Sequence, residues 1–136
     1  MQLINLFQEC NVDFSLECSN KDDALEKLST LICNGRDFLD KNKVLKVLQD
    51  REKLGSTGIG NEVAIPHGKM NIEKQLVGAF AISNSGVDFD ALDKKPVKIF
   101  FVLIASKDAT NIHLKVLAKI SRLLMNDNFR EERIIQ

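Results

Sequence analysis

The sequence predicts an α/β fold, a mixed central β-sheet flanked by helices on both faces, and three observations predict it. Segments rich in Val, Ile and Phe alternate with segments whose apolar residues recur every three to four positions. The run from Val97 to Ala105 is apolar for most of its length, the pattern of a central strand covered on both sides. With 136 residues, the chain has the size of one domain around a single hydrophobic core, so residues 1–136 are read as one unit.

Taken in order, Val12 to Cys18 reads as a first strand, and Asn20 as the N-cap of a helix running to about Cys33. Asp22 and Asp23 suit its first turn, and Leu25, Leu28 and Ile32 supply its apolar stripe. Asn34-Gly35 supplies the stop, because both residues tolerate left-handed backbone geometry. A second helix is predicted from about Asn42 to Lys53, with Val44, Leu45 and Leu48 inward and Lys43, Lys46 and Asp50 outward. Val63-Ala64-Ile65 is a short buried strand. Gln75 to Ser83 and Val97 to Ala105 are longer strands, punctuated by Asn84-Ser85-Gly86 and by Asp93-Lys94-Lys95-Pro96. From Thr110 a helical pattern puts Leu114, Leu117, Ile120 and Leu124 on one side and ends near Asn126-Asp127-Asn128. Phe129 to Ile135 reads as the opening of another helix.

Composition excludes several function classes. The 44% apolar and 28% charged residues, at zero formal net charge, are those of an ordinary globular protein, and no basic field is available for nucleic acid. No apolar run approaches the roughly 20 residues of a membrane span, and the N-terminus lacks a signal peptide's basic start and apolar core, so a cytoplasmic location is expected. Cys10, Cys18 and Cys33 show no metal-ligand spacing and are odd in number, which argues for reduced thiols. A metal-binding or cysteine-dependent protein would need Cys-x-x-Cys or His-Glu-x-x-His spacing, and neither occurs.

The chemistry concentrates between Gly55 and Lys69. Gly55, Gly58 and Gly60 permit positive φ and let backbone N–H groups converge on an anion, while Pro66 fixes its own φ and biases Ile65 toward extended geometry. Gly68 is expected to leave room beside the imidazole of His67, which falls at a strand end, where α/β folds place their chemistry. An isolated histidine in such a turn is more often a plain polar residue than a nucleophile.

Three stretches resemble the enzyme IIA domains of the fructose–mannitol superfamily of the sugar phosphotransferase system. They are Arg51-Glu52-Lys53-Leu54-Gly55-Ser56-Thr57, the overlapping Gly55 to Lys69 segment, and Asn111-Ile112-His113-Leu114-Lys115-Val116-Leu117-Ala118. Gly86 to Asp93, followed by Pro96 and the apolar run to Ala105, looks most like the fructose branch. The resemblance covers most of the chain and implies a mannitol-type enzyme IIA fold with no metal and no cofactor. It implies that His67 is phosphorylated on Nε2 and that His113 stabilises or orients the phosphorylated residue. It also implies that the phosphoryl donor is the phosphocarrier protein HPr and that the acceptor is a cysteine of an enzyme IIB domain, with membrane component IIC reached only indirectly.

The residues themselves suit those roles. A phosphohistidine carrier needs a neutral imidazole, positive charge for the phosphoryl oxygens and little water. Imidazole titrates near 6.5, so its lone pair is available near neutrality, although the sequence leaves the tautomer open. Arg51 offers a planar fork for two phosphoryl oxygens, against the plainer reading of a cation at a helix C-terminus. Ser56, Thr57 and Gly58 are candidate phosphate donors or simply turn formers, and Lys69 ranks below Arg51 as a solvated lysine. A nitrogen-regulatory member of the family, which takes phosphate but signals through protein binding, is the alternative to sugar uptake. The ending Arg130 to Gln136 stops short of the family's usual C-terminal helix, which leads to the expectation of a trimmed domain or one cut from a longer permease.

Overall fold

The computed structural model describes residues 8–74 and 76–124. After a short 3-10 turn at Glu9–Asn11 come β1 (Val12–Asp13), α1 (Lys21–Cys33), α2 (Lys41–Lys53), β2 (Gly58–Gly60), β3 (Val63–Ala64), β4 (His67–Met70), β5 (Leu76–Val87), β6 (Val97–Ser106) and α3 (Thr110–Leu124). They build a six-stranded mixed sheet in the order β1-β5-β6-β3-β2, with β4 also paired to β6. β5 and β6 are antiparallel, whereas β1 lies parallel to β5, and β3 and β4 both run parallel to β6.

Side-chain alternation on β6 divides the core. Phe100, Val102 and Ile104 join Leu25, Leu28, Ile32, Val44 and Leu48 of α1 and α2 on one face. Ile99, Phe101, Leu103 and Ala105 meet Val116 and Ile120 of α3 on the other. Nine of the ten β6 residues are buried, which is why this strand reads as continuous apolar sequence rather than alternating. Each fully buried Leu, Ile or Phe contributes on the order of 2 kcal/mol, so this strand is the main anchor of both layers. The predicted fold class, with helices on both faces of a mixed sheet, is the observed one.

The helices begin where the capping residues indicate. Asn20 accepts the Asp23 N–H at 2.9 Å, and Asp40 accepts the Asn42 N–H at 2.9 Å, so α2 starts one residue earlier than expected. Gly35 takes φ +71° just past α1.

Four expectations are corrected. The first strand stops at Asp13, whose carboxylate accepts the Ser15 N–H at 2.9 Å and turns the chain out of the ladder. Asn84-Ser85-Gly86 does not end a strand: β5 continues to Val87 through a register shift, with Gly86 at φ +81° against Pro96. Leu114 is 60% exposed, and its expected place in the buried stripe of α3 is taken by His113 with Val116 and Ile120. Gly58 is not at positive φ; a Cβ there would meet the Ala91 Cα at 2.8 Å, so space and not φ requires glycine. Gln75, the Asn126 to Asn128 ending and Phe129 to Ile135 lie outside the described residues, as does the side chain of Leu124.

Candidate phosphoryl-transfer site

β3 and β4 lie along the same edge of β6, separated by Ile65 and Pro66. Val63 pairs with Ile99 and His67 with Leu103, so the two form an interrupted strand. Pro66 has no N–H to give, but its carbonyl accepts from Leu103 N at 3.0 Å and keeps the backbone on the sheet. Val63 and Ile65 point into the α3 layer, and alternation places His67 on that face too. Gly68 therefore points the other way, where a Cβ would fall 2.2 Å from Val47 Cγ1. Its absent side chain admits α2 to the sheet rather than making room beside the imidazole as expected.

His67 Nδ1 is 2.7 Å from the Ile65 carbonyl oxygen. A carbonyl only accepts, so Nδ1 carries the hydrogen and Nε2 the lone pair, which resolves the tautomer the sequence left open. Burial lowers the pKa of the half-buried ring below 6.5; the Ile65 carbonyl opposes this, the Arg51 charge adds to it, and Glu52 opposes it. The neutral His67 ring therefore presents the lone pair of Nε2.

His113 lies in the first turn of α3, where its backbone N–H donates to the Ala109 carbonyl at 2.9 Å. The rings of His67 and His113 meet edge to face, with centroids 5.4 Å apart. His113 is buried, and none of the described residues offers its Nε2 a hydrogen bond. Its pKa falls to about 4, first through burial and then through the charges of His67 and Lys69. Lys69 donates to Thr110 Oγ1 at 2.9 Å, which holds its ammonium at the start of α3.

Arg51 is half-buried at the end of α2, and its Nη1 donates to the Gly55 carbonyl at 2.9 Å. The structure thus brings His67 and His113 together and sets the Arg51 charge where the His67 ring feels it. The loop residues are turned inward. Ser56 Oγ donates to the Phe89 carbonyl at 2.8 Å and accepts from Gly58 N at 3.0 Å. Thr57 gives its N–H to Glu52 Oε1 at 3.0 Å and its hydroxyl to Glu52 Oε2. These bonds shape the turn and occupy the side-chain donors of Ser56 and Thr57 and the N–H groups of Thr57 and Gly58.

Sequence reasoning missed Glu52. Its carboxylate is buried, and Lys21 Nζ lies 3.0 Å from Oε1 and 4.8 Å above the Phe89 ring. A signal was available, since an acid in the last turn of a helix faces the negative end of the macrodipole and needs another reason to be there. Among the described residues no group of three or more His, Cys, Asp or Glu side chains is placed to hold a metal ion, and no helix is long and apolar enough to cross a membrane.

The mixed sheet thus carries paired imidazoles, one on a strand and one on the covering helix. The chain belongs to the EIIA 2 family of the phosphoenolpyruvate-dependent sugar phosphotransferase system, whose family model matches residues 5–134. It is 38% identical over 126 residues to the nitrogen regulatory protein of Klebsiella oxytoca, covering 91% of this chain and 76% of that one. It is 30% identical over 132 residues to the fructose-specific EIIABC component of Bacillus subtilis (strain 168). That match covers 97% of this chain but only 21% of the relative, so the chain spans about a fifth of that protein's length. The crystal structure of the nitrogen regulatory protein IIA-Ntr from Neisseria meningitidis superposes with a TM-score of 0.90 at 36% identity, over 98% of this chain and 91% of that one. Relatives thus come from both the fructose and the nitrogen-regulatory branches.

Proposed function

We propose that His67 is the phosphoryl-accepting residue of this family member and that its Nε2 takes the group from phosphorylated HPr. The observation that carries the reading is the 2.7 Å contact of Nδ1 with the Ile65 carbonyl, which leaves Nε2 as the nucleophile beside His113. As the His67 Nε2–P bond forms, the N–P bond of the donor phosphohistidine breaks and its electron pair returns to the donor imidazole. Onward transfer reverses the roles: a cysteine thiolate of an enzyme IIB domain attacks phosphorus and the His67 Nε2–P bond breaks. Catalysis is positioning and charge neutralisation. Arg51 exchanges its Gly55 carbonyl partner for phosphoryl oxygens, and His113, with its hydrogen on Nε2, gains the acceptor it lacks. Ser56, Thr57 and Gly58 hold the loop that presents them.

The fructose-like stretch Gly86 to Asp93 and the match to the fructose component favour a place in uptake of fructose or a related sugar. A second reading, phosphorylation-dependent regulation through protein binding, is favoured by near end-to-end agreement with the IIA-Ntr structure. Incubation with phosphoenolpyruvate, enzyme I and HPr tests the shared core. Wild-type protein should acquire an acid-labile phosphate, His67→Ala none, and Arg51→Ala should acquire it on the order of 100-fold more slowly while remaining folded. Labelling of His67→Ala would refute the assignment. Adding a fructose-type enzyme IIB domain separates the readings: discharge of the phosphate favours transport, and retention favours regulation.

A further inference from the structure

Building on the proposed role of His67, we infer that Glu52 is a positioning residue for that imidazole, acting through a hydrogen-bonded chain that runs Lys21–Glu52–Thr57–Ile65–His67. Every link is present. Lys21 Nζ is 3.0 Å from Glu52 Oε1, and the same carboxylate accepts both the N–H and the hydroxyl of Thr57. The Thr57 carbonyl accepts from Ile65 N at 3.0 Å, and the Ile65 carbonyl accepts from His67 Nδ1 at 2.7 Å. With its N–H and hydroxyl both held, Thr57 has little freedom to reorient its carbonyl. That fixes the peptide before the Pro66 break, where ladder bonding to β6 is interrupted and the His67 acceptor would otherwise be least constrained.

Burial makes the choice of a carboxylate informative. A charge removed from water is heavily penalised unless it is paired and hydrogen-bonded, and a neutral acceptor would avoid that penalty. Glu52 is only 9% exposed, yet it is matched by Lys21 and by two Thr57 donors. Arg51, its neighbour on α2, ties the same loop through the Gly55 carbonyl. The two residues at the end of α2 therefore hold the turn at two points, and the anionic one lies on the path to the nucleophile. The charged and titratable groups around that imidazole are Arg51 and Glu52 from α2 and His113 from α3, and Lys69 of its own strand acts on His113.

Imidazole nitrogen NMR and phosphate acceptance from phosphorylated HPr, measured on the same samples, test this. Wild-type His67 should show a single Nδ1–H tautomer. Glu52→Gln, which removes the charge paired with Lys21 and replaces one of the two acceptor oxygens facing Thr57 with an amide NH2, should stay folded, show a mixed tautomer at His67 and accept phosphate roughly 10-fold more slowly. Should Glu52→Gln fail to fold, Lys21→Gln probes the same chain from its wetter end and should shift the tautomer in the same direction. An unchanged tautomer in a folded variant overturns the inference, even if the rate falls, because the carboxylate would then serve only loop stability. Wild-type protein that takes no phosphate, but whose His67 tautomer responds to Glu52, would instead overturn the proposed function and leave the chain of bonds standing.

Discussion

At the scale of single residues, the two histidines illustrate how burial turns a common side chain into a specialised one. His113 sits at 4% exposure in the position of a core aliphatic, and a charged ring there has no water to solvate it. Its pKa is about 4 in the folded protein against 6.5 in an unfolded chain, so between those pH values the unfolded state binds the extra proton. Stability is therefore fully present above pH 6.5 and falls as the pH drops toward 4, by on the order of 3 kcal/mol from this ring alone. Urea titrations at pH 7 and pH 4 should show wild-type protein losing more stability than His113→Asn by about that amount; equal losses would contradict a neutral buried ring. The sequence placed His67 and His113 in one neighbourhood, but neither the tautomer nor the orphaned nitrogen was readable, since both depend on partners distant in sequence or on a backbone carbonyl.

At the scale of elements, strand and helix are joined through a missing methyl group. Gly68 and Val47 bring β4 and α2 so close that Gly68→Ala requires Val47 to leave its rotamer or the helix that carries Arg51 and Glu52 to move. The substitution should lower stability by about 1–3 kcal/mol and slow phosphate acceptance, and thermal unfolding beside the labelling assay would check both. A variant with unaltered melting would mean that Val47 or α2 yields to the added methyl without cost. Helix starts at Asn20 and Asp40 follow from short-range capping chemistry, which is why the first was legible, but the roles of Gly58 and Gly68 were not. Their reasons lie across the fold, at Ala91 and Val47. Leu114 failed for a related cause: helical spacing defines a stripe but does not say whether leucine or histidine takes the buried side.

At the scale of the whole molecule, β6 is the member that both layers share. It is bonded along one side to β5 and along the other to β3 and β4, and its side chains belong to both apolar clusters. Its amides should exchange with solvent at the rate of global unfolding, while those of the two-residue β1 at the sheet edge exchange faster by local opening. Hydrogen exchange followed by NMR would show this, and a β6 that exchanges early would deny it the central place. This strand was the most legible part of the sequence because burial on both faces removes the ambiguity of amphipathic patterns. The Lys21 and Glu52 pairing was the least legible, since it spans thirty-one positions and two helices.

The pleat between Val63 and Met70 also carries a rule about permitted length. Adding or deleting one residue there would invert the remainder of the segment, sending the imidazole of His67 toward the helix wall at Val47 and leaving glycine to face His113. Insertions are accordingly better tolerated in the turn from Leu92 to Pro96, which lies between the buried Ala91 and Val97 and commits no side chain to the core.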